Sequence, residues 1–131
     1  MKKLISLFLS LGLYAGDLPT DVQAKFVKIL ALNAGAGSKV SCKDSTLLAE
    51  LTKAGVSPDT GSKVAWASTE AELASLKGKM IICGQVNWLS KGASIALVEE
   101  GGKPAIYLHM QNISASGVTL SDAILKIGRR I

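Results

Sequence analysis

Cys42 and Cys83 are the residues of this chain whose chemistry is most constrained by spacing. They stand too far apart to form a Cys-x-x-Cys redox pair. With a single histidine, His109, they lack the ligand spacing of a zinc site, so no metal is expected. No cofactor is expected either. Gly35-Ala36-Gly37-Ser38-Lys39 has too few residues between its glycines for a phosphate loop. It also follows a helical pattern and precedes a strand, the reverse of the required order. His109 alternates with Leu108 and Met110 at the end of an apolar run, with no nucleophile near it in sequence, and reads as structural. There is no Gly-x-Ser-x-Gly elbow. Glu99-Glu100 falls at a turn and reads as a solvated rim. The chain is therefore not expected to be an enzyme.

The elements around these residues follow from periodicity. Thr20 and Gln23 read as a capping box for a helix with Val22, Phe26, Ile29, Leu30 and Asn33 on one face. A short strand over 38–42 ends at Cys42. Asp44 or Ser45 caps a second helix carrying Leu47, Leu48, Leu51 and Ala54, and Gly55 ends it. A loop with Pro58 and Gly61 leads to a strand over 63–67. Thr69 and Glu72 form a capping box before Leu73 and Leu76, and Gly78 closes that helix. The strand over 79–83 has the continuous apolar centre of one covered on both faces. The runs 94–99 and 104–110 flank Glu100-Gly101-Gly102-Lys103, a hairpin signal, with Pro104 at a strand start or an edge. A last helix places Leu120, Ala123, Ile124, Ile127 and Ile131 on one face, with Lys126, Arg129 and Arg130 complementing its dipole.

This order predicts an α/β fold. It is a three-layer sandwich with a mostly parallel sheet of about five strands, the last two forming an antiparallel hairpin. In the doubly wound order 2-1-3, the strand ending at Cys42 neighbours the strand ending at Cys83. Neighbouring strands lie about 4.8 Å apart, within reach of a disulfide. A Cys42–Cys83 bridge is thus expected, with two free buried thiols as the alternative.

Met1-Lys2-Lys3, the apolar run from Leu4 to Leu13 and the small residues Ala15 and Gly16 have the layout of a secretory signal peptide. The run is too short to span a bilayer, which takes roughly 20 residues. Residues 1–16 read as a signal peptide, residues 17–131 as a single domain, and the compartment as the periplasm. No direct membrane insertion is expected after cleavage. The 48% apolar and 19% charged contents are those of a globular chain. The formal charge of +5 falls by two once Lys2 and Lys3 leave. The remaining basic residues are scattered without an aromatic stripe, so nucleic-acid binding is not expected.

Ligands of open α/β sheets bind beyond the carboxyl ends of strands, where strand order reverses. With the order 2-1-3, that crevice is bordered by Lys43, Asp44, Gly84, Gln85 and Asn87, with Trp88 close by. These are the expected ligand- or partner-binding residues. A bridge between the cysteines would make the crevice redox-sensitive.

The block from Gly92 to Lys103, then Pro104 to His109, then Ser116-Gly117-Val118-Thr119-Leu120-Ser121 and the closing helix, resembles the YfiR/HmsC-like family of periplasmic proteins. The opening helix at Gln23-Ala24-Lys25-Phe26 is similar too. The resemblance covers essentially the whole chain after residue 16. It implies a non-enzymatic periplasmic regulator that binds and restrains the periplasmic part of a membrane-bound sensor, a diguanylate cyclase, in cyclic-di-GMP and biofilm signalling. The cysteines match a first-to-third-strand disulfide of that family. The second cysteine pair of some members, and the aromatic-Pro step after the first helix, are absent. A homodimer is compatible with this reading. The alternative is a periplasmic small-ligand-binding module.

Overall fold

The structure is a computed structural model that describes residues 16–131. The expected signal peptide lies outside the described residues except for Gly16, whose backbone exchanges hydrogen bonds of 2.9 and 2.8 Å with Glu99. In chain order the elements are α1 (Thr20–Asn33), β1 (Lys39–Val40), α2 (Ser45–Lys53), β2 (Ser57–Pro58), β3 (Val64–Trp66), α3 (Glu70–Ser75) and β4 (Met80–Cys83). A 3-10 helix (Val86–Lys91) follows, then β5 (Ile95–Glu100), β6 (Lys103–Leu108), α4 (Met110–Ala115), α5 (Asp122–Ile127) and β7 (Arg129–Arg130). The fold is α/β, as the alternation of patterns predicts.

The main sheet runs β3-β4-β5-β6-β7, parallel throughout except for the β5–β6 hairpin. A two-stranded parallel extension, β1-β2, joins it through Ser41. The Ser41 amide donates to the Val64 carbonyl, and the Ser41 carbonyl accepts from the Trp66 amide, both at 2.9 Å. The full strand order is therefore 2-1-3-4-5-6-7. The expected order had the right form and the wrong second strand. Ser57–Pro58 is that strand, on the outer edge where proline removes no ladder bond. The segment 63–67 is the third strand, and it lies between β1, which Cys42 follows by two residues, and β4, which ends at Cys83.

Side chains alternate across the sheet, and the two faces differ in size. Val40, Val64, Trp66, Met80, Ile82, Ile95, Leu97, Ile106 and Leu108 point into one core, under α1, α2, α4 and α5. Ala65, Ala67, Ile81, Cys83 and Ala96 point the other way, under α3 and the 3-10 helix. Burying each large aliphatic of the first face contributes about 1.5–3 kcal/mol, so that face carries most of the core energy. The second layer is thin, because alanines let two short helices approach closely.

The capping signals of α2 and α3 are borne out. Asp44 Oδ1 accepts from the Thr46 and Leu47 amides, and Thr69 and Glu72 form a reciprocal box. In the hairpin turn Gly101 and Gly102 both have positive φ, 58° and 80°, as a two-residue primed turn demands. At α1 the capping box does not form; Pro19 is the cap and Thr20 is already helical. The buried stripe of α1 is Ala24, Val27, Leu30 and Ala31, rotated from the expected face. The alanines let α1 pack closely on α2, and Ile29 and Leu32 are left outside.

The end of the chain differs more. The strand β6 stops at Leu108, and His109 instead caps α4, its Nδ1 accepting from the Asn112 amide at 3.2 Å. The last helix is only six residues long, and Ile127 and Ile131 are 61% and 59% exposed rather than part of a core stripe. Arg129 and Arg130 form an edge strand beside β6, not a helix end. Gly128 permits this: a Cβ there would stand 2.5 Å from Leu108 Cδ1. The bare backbone lets the chain drop onto β6, where the Ile131 amide donates to the Leu108 carbonyl at 2.8 Å. Arg129 then covers the Tyr107 ring at 5.3 Å and bonds Glu100 at 2.6 Å. Tyr107 also donates to Glu100, whose hydrogen bond is the main cause that raises the tyrosine pKa.

Leu108 is fully buried and has nowhere to retreat. Gly128→Ala should therefore destabilise the protein by about 1–3 kcal/mol, the usual cost of overpacking. Urea unfolding checks it, and a wild-type midpoint would contradict this account of the chain end.

Candidate functional site

Strand order reverses between β1 and β3. From β1 the chain moves outward to β2 through α2 on one face. From β3 it moves the other way to β4 through α3 on the opposite face. With right-handed crossovers, a change of direction requires a change of face. Beyond the carboxyl ends of the strands at this switch lies an open crevice of about 250 Å³.

Four of the six expected crevice residues line it: Asp44 after β1, and Gly84, Gln85 and Trp88 after β4. Lys43 and Asn87 are exposed and do not. The insertion of β3 adds Trp66, Ala67 and Ser68. The entry and first turn of α1 add Asp17, Leu18, Thr20 and Gln23, which sequence reasoning missed. Recognising Ser57–Pro58 as an edge strand would have brought Trp66 to Ser68 to the crevice. Nothing in the local pattern signals that α1 closes its side.

One network organises the floor. The Trp66 indole N–H donates to Ser68 Oγ at 2.9 Å, and the Ser68 hydroxyl donates to Asp44 Oδ2 at 2.8 Å. Asp44 Oδ1 meanwhile holds the first turn of α2, accepting at 3.0 and 3.1 Å. One carboxylate thus caps a helix and fixes the tryptophan at the end of the neighbouring strand. The Ser68 hydroxyl accepts one bond and donates the other. The two indoles arrive from opposite sides of the sheet, since Trp66 belongs to the larger core and Trp88 packs against the smaller. The charged groups lining the crevice are acids, Asp17 and Asp44.

The Cys42–Cys83 bridge does not form; both cysteines are free. With β3 between their strands, the strand axes lie roughly 9–10 Å apart, beyond what a disulfide spans. The cysteines also lie on opposite faces of the sheet, Cys42 against the larger core and Cys83 in the smaller. Each thiol donates to a carbonyl two residues on, Cys42 to Asp44 at 3.6 Å and Cys83 to Gln85 at 3.3 Å. Burial pushes both pKa values up to about 11. These are structural thiols, and a redox staple across the crevice is ruled out by the same geometry. Among the described residues no group of three or more His, Cys, Asp or Glu is placed to hold a metal ion. No described helix is long and apolar enough to cross a membrane.

No family model matches the chain, and no curated protein matches it. Among solved structures, it is similar to the crystal structure of a conserved domain protein from Vibrio cholerae O1 biovar eltor, with a TM-score of 0.60 at 11% identity. The match covers 86% of this chain and 60% of that one, so this chain spans less than two thirds of its neighbour. At this identity the likeness is one of fold.

The thiols give a direct check. A rise from 9.0 to about 11 leaves about a hundredfold less thiolate at pH 8, so iodoacetamide should label both residues far more slowly than a free cysteine. Non-reducing mass spectrometry should find two free thiols, and reductant should leave the unfolding midpoint unchanged. A bridged mass would overturn the strand order given above.

Proposed function

We propose that the chain is a non-enzymatic binding module and that the crevice at the strand-order switch takes a small polar ligand. The observation that carries this reading is convergence. Asp17, Thr20, Gln23 and Gln85 come from two separate segments, line one crevice, and make no side-chain hydrogen bond to any described residue. Asp44, Ser68 and Trp66, by contrast, are locked together and form a rigid wall. A rigid wall facing unpaired polar groups is how a site fixes ligand orientation. Ser68 has no basic partner, and His109 caps a helix outside the crevice, so binding is better supported than nucleophilic catalysis.

A fragment screen of small polar compounds by NMR, read at the indole resonances of Trp66 and Trp88, tests this. Hits should shift both indoles and the Gln85 side chain. Gln23→Ala with Gln85→Ala should weaken them by about tenfold, since each lost hydrogen bond costs about 0.5–1.5 kcal/mol. Hits that leave both indoles unmoved would place the binding surface elsewhere.

A second reading follows from the resemblance to YfiR/HmsC-like proteins: an exported regulator that restrains a membrane-bound diguanylate cyclase. Its support in the fold is that α1 leaves Ile29 and Leu32 exposed one turn apart, 42% and 52%, on a helix otherwise well packed. If this holds, deleting the gene raises cellular cyclic-di-GMP, and Ile29→Glu with Leu32→Glu does the same while the purified variant stays folded. A double variant that restrains the cyclase normally would remove that surface from the reading.

A further inference from the structure

The composition of the crevice narrows the ligand beyond "small and polar". Its charged lining groups are both acids in a chain of net charge +5, so phosphates, nucleotides and carboxylates are disfavoured. For an organic cation Asp44 offers little free acceptor capacity, because two amides and a hydroxyl already take three of its roughly four acceptor sites. That leaves only Asp17, a solvent-exposed carboxylate, and a single exposed ion pair contributes about 0–1 kcal/mol.

What remains unpaired is a mixed set: a carboxylate acceptor at Asp17, a hydroxyl at Thr20, and amides at Gln23 and Gln85 that can donate and accept. Vicinal hydroxyls, each both donor and acceptor, complement such a set. The indole of half-buried Trp88 supplies an apolar wall beside them. A ring with hydroxyls on its rim and C–H groups on its face meets both requirements. A volume of about 250 Å³ lies below the usual range for larger ligands and suits one ring.

Gly84 keeps a side chain out of the crevice floor. It is not among the glycines with positive φ, so no turn requires glycine there. A Cβ built on it would stand at ordinary contact distance, 3.8 Å from Gln23 Nε2 and 3.9 Å from Asp17 Oδ1. The missing side chain is therefore needed neither for backbone conformation nor for close packing. It leaves room for about one methyl-sized group between Gln23, Asp17 and the Leu97 carbonyl, which a larger side chain would overfill.

We infer that the crevice binds a single neutral pyranose ring, either a free sugar or the end of a glycan. This rests on the crevice being a ligand site, as proposed above. The two tryptophans of the chain, Trp66 and Trp88, both line it, so intrinsic fluorescence reads occupancy without a label. The full chain is titrated with methyl glycosides of glucose, mannose, galactose and N-acetylglucosamine, with butylamine and inorganic phosphate as controls. At least one glycoside should saturate the signal, and neither control should. Gly84→Leu should abolish the response, and Asp17→Asn and Gln85→Ala should each weaken it at least fivefold. Circular dichroism checks the fold of each; were Gly84→Leu to misfold, exposed Gln85 still reads the site. An oligosaccharide that binds at least tenfold more tightly than its terminal methyl glycoside identifies a glycan end; equal affinity identifies the free sugar. If butylamine or another small probe saturates the signal while no glycoside does, the pyranose assignment falls and the ligand site stands. If no probe reaches the indoles, both fall.

Discussion

Two backbone hydrogen bonds at Ser41 set the plan of this molecule. They join the short β1–β2 pair to β3, and nothing else in the sheet ladder does so. Because β1 lies beside β3, the strand order reverses there and the crevice opens there. For the same reason Cys42 and Cys83 are held a strand apart. Buried serines reinforce the junction: Ser62 Oγ donates to the Lys39 carbonyl at 2.8 Å and accepts from the Val64 amide at 3.2 Å. The cost of leaving such buried groups unpaired, about 1–3 kcal/mol each, makes any other pairing of β1 unfavourable.

The sheet divides its work between faces. Large aliphatics fill the side under α1 and α2, where most of the hydrophobic stabilisation resides. Small residues cover the other side, where α3 and the 3-10 helix sit close. Asn112 ties this thinner layer to α4, its amide donating to the Leu89 and Ala93 carbonyls at 3.0 and 2.8 Å. A polar clamp does there what bulk does on the larger face. The two tryptophans come one from each core and meet at the carboxyl edge, so the crevice wall is anchored in both.

Asp44 couples that wall to the scaffold. Its two oxygens serve different masters, one the first turn of α2 and the other the hydroxyl that holds Trp66. The rigid half of the crevice is thus a by-product of helix capping, while the half formed by Asp17, Thr20 and Gln23 belongs to the start of α1. The polar side chains of that second half are not tied to any described side chain, whereas Trp66 is held in place through Ser68.

What the sequence determined by itself was local. Capping at Asp44 and Thr69, the hairpin at Gly101-Gly102, the buried run Met80–Cys83 and the α/β alternation are all short-range consequences of side-chain chemistry, and all are legible in residue type and spacing. Four of the six expected crevice residues follow from them, because any strand end of a parallel sheet faces the same edge. The rest was decided by tertiary structure. Ser57–Pro58 is too short and too polar to read as a strand until β1 lies beside it. The stripe of α1 turned because close packing on α2 favoured alanines over larger residues. The last helix yielded two arginines to an edge strand because Gly128 could approach Leu108. The disulfide failed because parity along a strand sets which face a cysteine occupies, whereas which strand lies between two others is settled only when hydrogen bonds distant in sequence have formed.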